Sequence, residues 1–169
     1  MQDLYQDSAA FHKVFDDRQP DQPTALDHEN VVDRIGFILE ELTELATIDC
    51  QTPEEVDATF AQISERLAMA KAKIQRKQPS AYAPVVQQAD AFGDIAYLTF
   101  GSYVLMGVDP TRIMAIIHAA NMHKLFPDGK AHRDPVTGKV LKPDTWAAKY
   151  KPEPLIAAEI ARQMQQSTK

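Results

Sequence analysis

The stretch that most limits what this chain can fold into is residues 85–106, which are apolar on nearly every side. A helix that is greasy all round has to be covered all round, so this segment predicts a helix buried at the centre of a bundle. Gly93 and Gly101 lie inside it. Their cost in helix propensity is usually tolerated where a neighbouring backbone comes close. Two carboxylates interrupt the apolar surface. Asp90 and Asp94 are four residues apart and share a side with Tyr97, with Gln87 a turn earlier. One buried aspartate can be satisfied by hydrogen bonds, but two in line on such a helix ask for something more.

A second acidic anomaly lies upstream. Residues 28–49 read as a long amphipathic helix, with Val31, Ile35, Ile38, Leu42 and Leu45 as its buried stripe. Glu40, Glu41 and Glu44 sit in the middle of it. At about 100° per residue, Glu41 falls beside the stripe, Glu44 further round and Glu40 furthest. Phe37 and Ile48 bracket the same arc, which places the patch on the shoulder of the core. Like charges this close repel, and partial burial strengthens the repulsion. A hard divalent cation with oxygen ligands is the simplest answer to it.

The remaining segments are helical too. Residues 3–16 carry Leu4, Phe11, Val14 and Phe15 as an apolar set, and His12 reads as a surface or capping residue. Pro20 and Pro23 mark a loop over 17–27. Thr52-Pro53-Glu54-Glu55 is a capping box with proline at the first helical position, and the helix it starts runs to about residue 77. Asp109-Pro110 starts another, carrying Ile113, Ile116, Ile117 and Ala120. Asp128-Gly129 and Thr137-Gly138 are turn signals, so residues 126–150 form an ordered loop or small hairpin made basic by its lysines. Trp146 is an anchor for the tail, and a peripheral helix over about 153–164 ends the pattern. The expected fold is all-α, with a four-helix core plus peripheral helices and a C-terminal loop or hairpin. One domain spans 1–169, with its core over about 28–125 and a lysine-rich loop and tail over 126–169.

Composition narrows the function. A formal charge of −6 argues against a general nucleic-acid polymer or anionic-membrane surface. Polyphosphate could be held only through a metal or a local lysine cluster. Cys50 is the single cysteine, so a reducing compartment is the default. The N-terminus lacks the pattern of a signal peptide, and the run 95–108 is too short to span a bilayer. The expectation is a cytoplasmic protein that does not enter membranes.

If the glutamate helix and the aspartate helix face each other, their carboxylates converge as the ligand set that Mg²⁺ or Mn²⁺ prefers. Lys124, Lys139 and Lys142 supply positive charge later in the chain. A polyphosphate between the two would be held at both ends, with a spare glutamate to orient or deprotonate water.

On these residues the chain resembles the all-α nucleoside triphosphate pyrophosphohydrolases, which include MazG-like, dimeric dUTPase-like and phosphoribosyl-ATP pyrophosphohydrolase groups. That family carries E-E-x-x-E followed by E-x-x-D. Glu40-Glu41-x-x-Glu44 matches the first part, and the segment ending at Asp94 matches the second. Phe11-His12, Asp94-Ile95-Ala96-Tyr97, Gly107-Val108-Asp109, the run 118–124 and the pieces Asp128-Gly129-Lys130 and 138–143 resemble a MazG-like subgroup. The chain departs from the family at Ala91, where the pattern has glutamate; Asp90 stands one residue earlier.

The resemblance implies Mg²⁺-dependent hydrolysis of a nucleoside triphosphate between its α- and β-phosphates, giving monophosphate and pyrophosphate, in nucleotide-pool house-cleaning. By carry-over, Glu41, Glu44, Asp94 and Asp90 hold Mg²⁺, for which Mn²⁺ can substitute, and Glu40 activates water. Asn121 and Lys124 meet sugar or phosphate, Lys139 and Lys142 the outer phosphates, and Tyr97 lines the pocket. The family assembles as homodimers or homotetramers. Two alternatives remain: phosphoribosyl-ATP as substrate, or a helical interaction protein that has lost its chemistry. A di-iron carboxylate centre is not supported, because Ala115 and Ala120 stand where its Glu-x-x-His pairs need glutamates.

Overall fold

The computed structural model describes residues 3–16, 18 and 20–167. Among them the chain is all-helical, with α1 Leu4–Phe15, α2 His28–Thr47, α3 Pro53–Gln75, α4 Pro84–Met106, α5 Thr111–Met122, α6 Trp146–Tyr150 and α7 Glu153–Ser167. It divides into two compact units. Pro23–Ala91 forms one; Met1–Gln22 with Phe92–Lys169 forms the other.

In the first unit the helix starts are chemically determined. Asp27 caps α2 by accepting the Asn30 N–H at 2.8 Å. The expected capping box opens α3: Thr52 Oγ1 accepts the Glu55 N–H, and Glu55 accepts the Thr52 N–H, both at 3.2 Å. α2 and α3 pack together. The loop before α2 is pinned by Gln88, whose side-chain amide takes both the N–H and the C=O of Leu26, at 2.8 and 2.9 Å.

In the second unit α1 and α7 both pack against α5. Phe15 is buried at the end of α1, with Phe11 stacked on it at 4.3 Å between ring centroids. The α5 start lies one residue later than the Asp-Pro signal suggests. Pro110 is the residue before the helix, and Asp109 instead accepts the Thr111 N–H at 2.9 Å in a turn. α7 is not peripheral to this unit. It places Glu159, 7 % exposed, against α5.

Residues 126–150, expected as a loop or small hairpin, do form a small hairpin, closed by one antiparallel bridge between Arg133 and Val140, but they end in the short helix α6, which the turn signals did not announce. Asp134 accepts the Val136 and Thr137 N–H groups across the turn, and Gly138 takes the positive φ of 68° that lets the chain reverse. Arg133 donates to the carbonyl of Gly138 and, from the same guanidinium, to that of Phe15. The hairpin is thereby tied to the end of α1.

α4 differs from expectation. No residue of it is buried; Val104 is 78 % exposed and Leu105 90 %. A Cβ at Gly93 or Gly101 would meet nothing within 4 Å among the described residues, so the close backbone approach expected there is not seen. Ile35, Leu42 and Leu45 on α2, and Ile48 just past its end, are exposed as well. The apolar faces of these helices are thus not consumed by the chain's own packing. Among the described residues no helix is long and apolar enough to cross a membrane.

Candidate active site

The three glutamates of α2 are all exposed, whereas the sequence places them on the shoulder of a buried stripe; that stripe is itself not buried in the single chain. The helix has no basic residue in its last turn to answer them. Among the described residues, Glu41, Glu44, Asp90 and Asp94 make no side-chain hydrogen bond or ion pair, whereas Glu40 has a partner. Glu40, Glu41, Glu44 and Asp90 belong to the first unit; Asp94, Tyr97, Asn121, Lys124, Lys139 and Lys142 belong to the second. Within neither unit do three or more Asp, Glu, His or Cys side chains gather to hold an ion among the described residues.

The donors nevertheless suit a hard divalent cation. They are carboxylate oxygens with no cation of the protein's own paired to them among the described residues, unlike Asp16 and Glu159. Asp16 shows the contrast. Arg18 grips it at 2.9 and 2.7 Å, and that hydrogen bonding holds its carboxyl well below the usual carboxylate range. Glu159 is held down to about 2 by a two-bond fork from Arg162, at 2.8 and 2.5 Å, and by Gln163 at 2.9 Å. Arg112 adds a weaker pairing at 3.6 Å.

The candidate phosphate-binding residues are better gathered. α5 ends at Met122, with Asn121 half-buried in its last turn. The Lys124 N–H donates to the Asn121 carbonyl at 3.0 Å. Trp146, 7 % exposed, donates its indole N–H to the Ala120 carbonyl at 2.8 Å and carries the Lys142 ammonium 4.3 Å from its ring centroid. The expected tail anchor is therefore real, and it joins Lys142 to the Asn121–Lys124 turn. Lys139 lies in the hairpin, its carbonyl accepting the Asp134 N–H. Tyr97 is 79 % exposed, so the described residues do not wall it into a pocket.

Two histidines near this turn make contacts within the protein. His123 bonds the Ala119 carbonyl and stacks on Tyr150 with centroids 3.8 Å apart; His118 lies 3.7 Å from Asp7. Sequence reading assigned nothing to the Glu159–Arg162–Gln163 cluster. Its spacing of three and four residues on a helix was the available signal. An open cavity of about 440 Å³ beside it is lined by Arg112, Ile116, Leu155 and Arg162 among others, none of them a candidate site residue.

No curated protein matches the chain. The crystal structure of a "putative NTP pyrophosphohydrolase" from Exiguobacterium sp. 255-15 superposes with a TM-score of 0.85 at 33 % identity, covering 98 % of each chain. Residues 8–121, which include Glu40, Glu41, Glu44, Asp90 and Asp94, match the family described as phosphoribosyl-ATP pyrophosphohydrolase. The chain belongs to the phosphoribosyl-ATP pyrophosphohydrolase family and is an all-α nucleotide pyrophosphohydrolase.

Proposed function

We propose that this enzyme hydrolyses a nucleoside or deoxynucleoside triphosphate to the monophosphate and pyrophosphate, with Mg²⁺ held by Glu41, Glu44, Asp94 and Asp90. The observation that carries the proposal is the set of four carboxylates on α2 and α4 whose side chains have no hydrogen-bond or ion-pair partner among the described residues. Such acids are costly to bring together unless a cation joins them. When bound, Mg²⁺ supplies charge neutralisation for the phosphates and for the leaving pyrophosphate.

The protein's own residues do the rest. Glu40 accepts a proton from the attacking water, whose oxygen bonds to phosphorus as the bridging P–O bond breaks. Lys139 and Lys142 meet the outer phosphates, and Asn121 and Lys124 the sugar or inner phosphate. Tyr97 lines the base side. The exposed apolar faces of α4 and α2 support assembly with further copies of the chain as a homodimer or homotetramer, since patches of this kind are rare on monomers.

Phosphoribosyl-ATP is the second reading, favoured by the description of the matched family. The triphosphate reading is preferred because that match ends at residue 121, whereas the Exiguobacterium likeness runs through the basic hairpin and tail. The test is pyrophosphate release from a panel of ribo- and deoxynucleoside triphosphates and phosphoribosyl-ATP, with Mg²⁺. Release from one or more triphosphates is expected. Release from phosphoribosyl-ATP alone would install the second reading. Folded protein releasing nothing from the whole panel would mark a helical interaction protein that has lost its chemistry.

A further inference from the structure

We propose that Trp146 is a positioning residue of the nucleotide site, fixing Lys142 and the C-terminal turn of α5 in one arrangement for the phosphates. This rests on the reading above, in which Lys142, Asn121 and Lys124 meet the substrate.

The argument begins with a carbonyl. The last carbonyls of a helix lose their intrahelical donors and need others. In a continuing helix Ala120 O would take the Lys124 N–H, but that N–H goes to Asn121 O at 3.0 Å. The indole N–H fills the gap at 2.8 Å. Ala120 O belongs to the peptide group that carries the Asn121 nitrogen, so the indole holds the plane from which Asn121 projects. The tighter turn that frees Ala120 O is the same one that sets the direction of Lys124.

The ring face does a second job. Lys142 lies over it at 4.3 Å from the centroid. The ring attracts the charge while satisfying none of the three ammonium N–H donors, which stay available to phosphate oxygens. A lysine placed in advance loses less freedom when an anion arrives. The His123–Tyr150 stack fixes the far end of α6 to the same turn of α5. One buried indole thus links Ala120 and Lys142, which are 142 − 120 = 22 positions apart, and the lysine and the helix end hold their places together.

Trp146 is also the chain's single tryptophan, so its emission reports this junction and nothing else. The full-length protein is titrated with inorganic tripolyphosphate in the presence of Mg²⁺. A saturable change in emission is expected, and it should vanish in Lys142→Met. Steady-state kinetics on the fastest nucleotide of the panel complete the test. Trp146→Leu should raise KM about tenfold with kcat changed less than about twofold, because a binding group is loosened and no reacting group is lost. Trp146→Phe keeps a ring under Lys142 and loses only the N–H, so it should fall between, and it carries the test if Trp146→Leu does not fold. In a Lys142→Met background the Trp146 substitution should add less than its full penalty, since the two act in part through one contact. Folded Trp146 variants with wild-type KM, or full additivity with Lys142→Met, would overturn the proposal. Failure of every nucleotide to release pyrophosphate would overturn the parent reading instead.

Discussion

Replacing Glu41 by glutamine separates the metal-ligand assignment from every structural explanation of that residue. Glu41 is exposed, and its side chain makes no hydrogen bond or ion pair among the described residues. Its removal therefore costs no packing, and exposed substitutions of this kind stay within about 0.5 kcal/mol. The sign should be favourable in metal-free protein. Glu41 and Glu44 are helical neighbours, and a like-charge pair at this spacing costs roughly 0.2–0.5 kcal/mol. Relieving it should raise the Tm by up to about 2 °C for a chain of this size. With Mg²⁺ the order should reverse. Saturating a native-state site at 100 times its Kd stabilises by about 2.7 kcal/mol, or roughly 5–11 °C, and only the wild type should show it. Activity should fall at least about 100-fold, since losing an outer-shell partner of a ligand alone costs 10–100-fold. Thermal melts with and without Mg²⁺, beside pyrophosphate release, read all three effects. A variant that gains as much from Mg²⁺ as the wild type, or works as fast, refutes the reasoning.

Three further outcomes are expected. Glu159 has its carboxyl held down to about 2 by Arg162 and Gln163, against an ordinary value of 4.5. A depressed carboxylate stabilises fully above its ordinary value, and that stability is lost as pH falls from about 4.5 towards about 2. Acid melts of the wild type should therefore steepen in that window, and Glu159→Gln should flatten the profile there; identical slopes would count against the cluster. Leu105→Glu places a charge on a side chain 90 % exposed in the single chain. It should leave a monomer's stability within about 0.5 kcal/mol but break an assembly that covers α4, so sedimentation should show a lower mass. An unchanged mass would mean that this face stays uncovered. Phe15→Ala removes a ring that is 3 % exposed, stacked on Phe11 and adjacent to the carbonyl Arg133 holds. It should cost about 3–5 kcal/mol in denaturant unfolding, and a loss under about 1 kcal/mol would show the α1–α5 packing to be dispensable.

Helix identity was legible from residues alone because its determinants are local. The capping box at Thr52-Pro53-Glu54-Glu55, the aspartate before α2 and the positive-φ glycine of the hairpin each act over a few residues. The acidic helix and the aspartate pair were equally legible, since periodicity sets which residues share a face. What periodicity could not say was what covers that face. Residues 85–106 read as a bundle centre, yet the chain leaves α4 with no buried residue. An apolar pattern records that a surface must be covered and is silent on whether the same chain or another copy does it.

The α5 end shows the other side of this division. Nothing in the order of residues joins Trp146 to Ala120, because 26 positions separate them and the bond forms only once α6 meets the end of α5. The Glu159 fork could be suspected from its spacing, but its burial against α5 could not. The sequence by itself determined the long helices to within a few residues, which acids share a turn and which family the motifs point to, all of them matters of neighbouring residues; it missed the short helix α6. Tertiary structure alone decided which carbonyl the indole completes, which lysine rests on its face and which apolar helix stays open, because each depends on segments distant in the chain arriving at one place.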